Sequence, residues 1–79
     1  MRREDVLKLR HDVPKGTVIE LILMKDDPRP IEPGTRGVVE HIDDIGNIHV
    51  DWDNGRTLAV IPEVDEYKVI QAGGAKSEN

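Results

Sequence analysis

The stretch Asp43-Asp44-Ile45-Gly46-Asn47-Ile48-His49-Val50-Asp51-Trp52-Asp53-Asn54-Gly55-Arg56-Thr57-Leu58-Ala59-Val60-Ile61 decides how this chain folds. Asn54-Gly55 stands between two runs that alternate apolar and polar residues, the strongest short-range signal for a β-hairpin. Read as a two-residue loop, it pairs Asp53 with Arg56, Trp52 with Thr57, Val50 with Ala59 and Ile48 with Ile61. That register puts Ile48, Val50 and Trp52 on the core face beside Thr57, Ala59 and Ile61. The opposite face then carries His49 and Asp51 with Leu58 and Val60. Two aliphatics on a wet face call for a cover, which is either the N-terminal helix, a partner or a homodimer seam. Trp52, the only Trp, is either core or one wall of a groove.

Working outward, Gly34 to Ile42 reads as a strand. Val39 and Ile42 are three apart, an odd separation that cannot place both on one face of a regular strand, so a bulge is predicted near Glu40-His41. Asp44-Ile45-Gly46 is a tight loop in which Gly46 supplies a positive φ. Upstream, Lys25 to Pro33 has three prolines and no apolar periodicity and reads as a long irregular loop. Thr17 to Met24 is β-branched and aliphatic, a strand with one wet position at Glu20. Met1 to Val13 reads as a short amphipathic helix, with Val6, Leu9 and Val13 at i, i+3 and i+7 and Leu7 beside them, ended by Pro14. Downstream, Pro62 stops the fourth strand, Glu63 to Glu66 makes a short turn, and Tyr67 to Ile70 is a closing strand. The expected architecture is mainly β: a small five-stranded SH3-like barrel over residues 15–70, a helical arm over 1–14 and a disordered tail over 71–79.

With 79 residues, 37% of them apolar and none of them Phe, the chain can build one small core of Val, Ile and Leu. The absence of Cys removes disulfides and thiolate metal sites and fits a reducing compartment, so a cytoplasmic location is expected. The longest apolar run, Leu21 to Met24, is far too short to span a membrane, and Met1-Arg2-Arg3-Glu4-Asp5 lacks the apolar stretch of a signal peptide. The formal net charge is −5. Residues 1–16 carry five basic and three acidic residues, whereas residues 34–70 carry three and eight. An acidic barrel repels phosphates, so direct nucleic-acid binding is not expected.

Three segments carry a resemblance: Met24-Lys25-Asp26-Asp27-Pro28, then Pro33-Gly34-Thr35-Arg36-Gly37-Val38-Val39, then Asp43 to Gly46 followed by Ile48 to Gly55. Over residues 5–70 the chain resembles a family of short bacterial and phage-borne proteins known as domain of unknown function 4314. More distantly, the Gly34-Thr35-Arg36-Gly37-Val38-Val39 entry and the Trp52-Asp53-Asn54-Gly55 turn are similar to SH3-like interaction domains of larger eukaryotic ubiquitin ligases. The resemblance implies a barrel and no particular activity. Pro62 to Tyr67 departs from the shorter, aromatic-rich segment found in many members.

The aspartates come first among candidate sites: Asp26-Asp27, Asp43-Asp44, and Asp51 with Asp53. They lack the spacing of a calcium loop, and no His and carboxylate set has metal spacing, so no metal or other cofactor is expected. Asp44 and Asp53 are expected to bond turn amides at hairpin corners. His41 and His49 lie on neighbouring strands and can approach each other. The only serine is Ser77, in the tail, and neither a nucleophile nor a paired acid in a cleft appears, so no catalytic residue is assigned and no enzyme is expected. The expected function is a non-catalytic protein-interaction module that meets a partner with a basic surface. Its expected contact residues are Asp26, Asp27, Arg29 and Glu32 of the Pro-rich loop, Asp44 at a hairpin corner, and His49, Asp51, Trp52, Leu58 and Val60. The alternative is a phage or mobile-element inhibitor that occupies a basic nucleic-acid-binding site on a host enzyme.

Overall fold

The structure is a computed structural model and describes residues 1–25 and 27–73. A helix α1 (Arg3–Asp12) precedes five strands: β1 (Val18–Leu23), β2 (Arg36–Ile42), β3 (Ile48–Trp52), β4 (Thr57–Val60) and β5 (Glu66–Gln71). All pairings are antiparallel and the order is β4-β3-β2-β1-β5. Among the described residues no ladder joins β4 to β5, so the sheet is open and the expected closure by the last strand is not found. No helix is long and apolar enough to cross a membrane among the described residues.

The helix starts where Asp5 turns back to accept the Arg2 N–H at 3.2 Å, and it ends as Pro14 removes the next donor. Acids in its first turn and Arg10 and His11 in its last complement the helix dipole. Val6 and Val13 are buried and Leu9 packs beside them, whereas Leu7 is 52% exposed and stands outside the stripe. The helix lies against β2, and Arg10 ties it there by donating to the Ile42 carbonyl and to Asp44.

The bulge on β2 is where the spacing of Val39 and Ile42 requires it. Val39 faces Val50 and His41 faces His49, so Glu40 is the extra residue, and both Val39 and Ile42 are buried. The Lys25 to Pro33 loop is less free than its composition suggests, because Ile31 (1% exposed) and Met24 drop into the core and pin it.

The hairpin at Asn54-Gly55 differs from its expected form by one residue. Val50 faces Leu58 and Ile48 faces Val60, not Ala59 and Ile61. A two-residue type I′ loop needs positive φ at both central residues, but of Asn54 and Gly55 only Gly55 (φ 88) is positive. The Gly55 N–H reaches the Trp52 carbonyl at 3.0 Å and the Trp52 N–H reaches the Arg56 carbonyl at 2.9 Å. Those bonds define a turn centred on Asp53-Asn54 followed by a left-handed Gly55, a three-residue loop. One residue more in the loop turns β4 over. Leu58 and Val60 enter the core, Thr57 and Ala59 turn outward, and the apolar set wins because it hides two aliphatic chains instead of a hydroxyl and a methyl. The aliphatic patch expected under a helix, a partner or a homodimer seam therefore packs with the core. Trp52 is core as well, 3% exposed, with its indole N–H on the Leu58 carbonyl at 3.0 Å.

Past β4, Asp65 is 6% exposed and each of its oxygens accepts a backbone N–H, from Lys25 at 3.0 Å and Ile61 at 2.9 Å. It locks the Pro62–Val64 turn to the start of the long loop. At the end of the chain, Gln71 belongs to β5 and Gly73 lies against Thr17, whose hydroxyl takes the Gly73 N–H. Residues 71–73, expected in the tail, are therefore placed against the domain, and the remainder of that expected tail, residues 74–79, lies outside the described residues.

Candidate functional site

The outer face of β2, β3 and β4 collects the polar residues that the core register leaves outside. A bulge turns two consecutive side chains toward one face, so Glu40 and His41 both stand on it, beside His49 and Asp51 of β3 and Thr57 and Ala59 of β4. With Val50 and Leu58 these residues line an open groove of ≈ 550 Å³. Its floor is firm, since Val50 beneath it is buried. Its β4 side is low because Thr57 and Ala59 are small.

Two features give the groove its chemistry. The first is the carboxyl pair Glu40 and Asp51. The hydrogen bond and the negative charge of Asp51 push Glu40 above its ordinary pKa, with a smaller contribution from loss of hydration. The second is the imidazole pair. His41 and His49 stack face to face, ring centroids 4.2 Å apart and planes 8° from parallel. His49 Nε2 also meets Asp43 Oδ2 at 2.9 Å. Asp43 in turn accepts the N–H groups of Ile45 at 3.1 Å and Asn47 at 2.8 Å through Oδ1, which closes the β2–β3 loop. Partial burial opposes its ionisation, but the bonds from His49, Asn47 and Ile45 outweigh that and hold Asp43 below the usual aspartate value.

Chemically the groove presents two carboxylate acceptors that no Arg or Lys bridges among the described residues, so it suits a donor-rich cation such as guanidinium, which meets carboxylates with two parallel N–H bonds. A contrasting cluster lies on the outer face of β1, β2 and β5. There Glu20 is already paired with Arg36 at 3.1 Å and Lys68 at 3.6 Å, and the Arg36 hydrogen bond foremost holds its carboxyl below the ordinary value against a small cost of burial. That cluster is closed by salt bridges; among the described residues Glu40 and Asp51 make none, and the Lys15 charge reaches Glu40 only at longer range.

The residues expected at the site divide accordingly. His49 and Asp51 are in the groove; Leu58 is half-buried, packing against the core while also lining the groove, and Trp52 and Val60 are buried in the core. Asp44 is exposed at the loop corner and paired with Arg10 at 2.9 Å, and Asp43, not Asp44, bonds the turn amides. At the other corner Asn54, not Asp53, accepts the Arg56 N–H. Asp27 accepts the Arg29 N–H at 2.8 Å, and Arg29 and Glu32 are exposed on the long loop, away from the groove. Asp26 lies outside the described residues. Glu40, Thr57 and Ala59 are the groove residues that the sequence did not single out. For Glu40 the signal was present, since a bulge at Glu40-His41 brings both side chains out beside Asp51. Among the described residues no group of three or more His, Asp or Glu side chains is placed to hold a metal ion.

A family model described as Domain of unknown function (DUF4314) matches residues 2–70. The chain belongs to that family. The DUF4314 match spans the helix and all but the last residue of β5, so it includes the whole groove. No curated protein and no solved structure matches the chain.

Proposed function

We propose that this DUF4314 protein is a non-catalytic interaction module of SH3-like construction that binds a basic segment of a partner protein on the outer face of β2, β3 and β4. The observation that carries the reading is the Glu40–Asp51 carboxyl pair, set side by side on the wall of an open groove; among the described residues neither acid makes a salt bridge, Lys15 acting on Glu40 only through its charge, while Glu20 is bonded to both Arg36 and Lys68. A cation placed between the two carboxylates relieves their repulsion, so the groove gains more from a basic ligand than an isolated surface acid does. The strand order β5-β1-β2-β3-β4, a three-strand meander flanked by the first and last strands, supports the SH3-like layout with one open seam. The long loop, Asp44 and the acidic balance of residues 34–70 steer the approach of a positive partner.

Fluorescence anisotropy with a labelled oligo-arginine peptide tests the reading. Wild type is compared with Glu40→Gln/Asp51→Asn and with Asp53→Asn/Glu63→Gln, which removes the same charge from exposed positions outside the groove. The groove variant is expected to bind about tenfold more weakly and the control within about twofold, because close charge pairs, not net charge, hold the ligand. Equal weakening in both variants would reduce the groove to bulk electrostatics and remove the proposal.

A further inference from the structure

We infer that the partner's basic segment binds as an added antiparallel strand on the free edge of β4, with alternate arginine side chains reaching over Thr57 and Ala59 into the groove. This rests on the reading of the groove as a basic-ligand site and says how that ligand is held. Its starting point is that, among the described residues, β4 ends the sheet and pairs only with β3. In an antiparallel ladder the hydrogen-bonded pairs alternate. Trp52 bonds Arg56 across the turn, so Val50 with Leu58 and Ile48 with Val60 are the bonded pairs that follow. The N–H and C=O groups of Thr57 and Ala59 therefore point to the open edge, two donors and two acceptors at the spacing that a further strand uses.

The two edges of the sheet are not alike. β5 carries Glu66 and Lys68, bound to Lys25 and Glu20, and its register against β1 is broken in two places, devices that blunt an edge against pairing. Thr57-Leu58-Ala59-Val60 has no charge and no proline, and its register against β3 is regular. The nearest cation, Arg56, is turned away and donates to the Pro30 carbonyl. Beside the edge, Ala59 shares a small pocket of ≈ 60 Å³ with Met24, Asp27 and Asp65, which adds acids but no positive charge next to the strand.

Charge complementarity chooses the occupant. Residues opposite each other in an antiparallel ladder share a face, so the residues facing Thr57 and Ala59 lie above the groove. An added strand stands two spacings, about 10 Å, from Asp51 on β3, a gap that an arginine and an aspartate side chain close between them. Intervening residues fall on the inner side, next to Leu58 and Val60, and should be aliphatic. A segment that alternates Arg with Val fits both faces. A second copy of this chain fits poorly, because antiparallel self-pairing of β4 would set two groove carboxyl pairs on the same side of one continuous sheet.

The probe is the capped pentapeptide Arg-Val-Arg-Val-Arg, titrated into the full chain by calorimetry and by amide chemical-shift mapping. Wild type is expected to bind, with the largest shifts at Thr57 and Ala59. N-methylation of the arginine amides, which face β4, is expected to cost at least tenfold, whereas N-methylation of the valine amides, which point away, leaves affinity within twofold. Both peptides meet an unaltered protein, so folding does not enter. Ala59→Pro, which removes an edge donor without touching the β3 ladder, should match the arginine-methylated peptide. Several results would overturn strand addition: no binding by wild type at millimolar peptide, equal loss from both methylated peptides, or wild-type affinity in Ala59→Pro. If the methylation pattern holds but Glu40→Gln/Asp51→Asn binds as wild type does, the edge stands and the groove reading falls. Concentration-dependent dimerisation that the peptide fails to reverse would assign the edge to a second copy and overturn the inference.

Discussion

Val60→Ala tests the register of the β3–β4 hairpin, on which both the core and the groove depend. Val60 is fully buried opposite Ile48, and the change removes two methyl groups from a close-packed position. Two buried methyls at about 0.8 kcal/mol each, plus the cavity they leave, amount to about 2–3 kcal/mol. In a domain of this size the urea dependence of stability is about 1 kcal/mol per molar, so the midpoint should fall by about 2 M. The paired control is Thr57→Ala. Thr57 is exposed on the outer face, and its loss should cost under about 1 kcal/mol through strand preference alone. Urea unfolding followed by Trp52 fluorescence reads both, since the indole is buried in the folded chain. The two-residue loop register predicts the reverse order, with Thr57 in the core and Val60 outside. A nearly silent Val60→Ala beside a costly Thr57→Ala would refute the hairpin described here and the groove built on it.

Other outcomes follow from single residues. Gly37→Ala should lower stability by about 1–3 kcal/mol in the same assay, because an added Cβ would stand 2.8 Å from the Asp51 carbonyl and 2.9 Å from the Trp52 ring. Asp65→Ala strands the N–H groups of Lys25 and Ile61 and should cost about 3 kcal/mol, with hydrogen exchange quickened first at those two amides. Asp43, whose folded pKa lies below its ordinary 3.8, adds stability that is present above that value and lost as pH falls below it. Asp43→Asn should therefore flatten the acid limb of a stability–pH profile below pH 3.8, and an unchanged limb would assign that slope to other groups.

The fold was legible wherever spacing alone determines a face. The odd interval between Val39 and Ile42 gave the bulge, the Val6, Leu9 and Val13 stripe gave the helix, and Gly46 gave the β2–β3 loop with its positive φ. The hairpin register was not legible from the same rules, because Asn54-Gly55 is compatible with loops of two and three residues and the choice is made by what β4 buries. That single residue carried Leu58 and Val60 from the expected binding face to the core and brought Thr57 and Ala59 out. The consequences of Glu40 were half legible, since the predicted bulge already implied an outward pair but the neighbouring Asp51 enters only through strand pairing. Asp65 gave no signal. A carboxylate that binds a backbone amide 40 residues away in sequence can be recognised only once the two segments meet.

The carboxyl pair is the centre of the account, and the titration of Glu40 tests it most directly. Its folded pKa is raised, so its contribution to stability is full below the ordinary 4.5 and is lost as pH rises through the higher folded value. A basic ligand favours the ionised pair and by linkage must lower that value. The measurement is the carbon resonance of the Glu40 carboxyl followed against pH, in the free protein and with saturating Arg-Val-Arg-Val-Arg peptide. The account predicts a midpoint above 4.5 in the free protein and a downward displacement in the complex. A free midpoint at or below 4.5, or one that the bound peptide leaves unmoved, would contradict it.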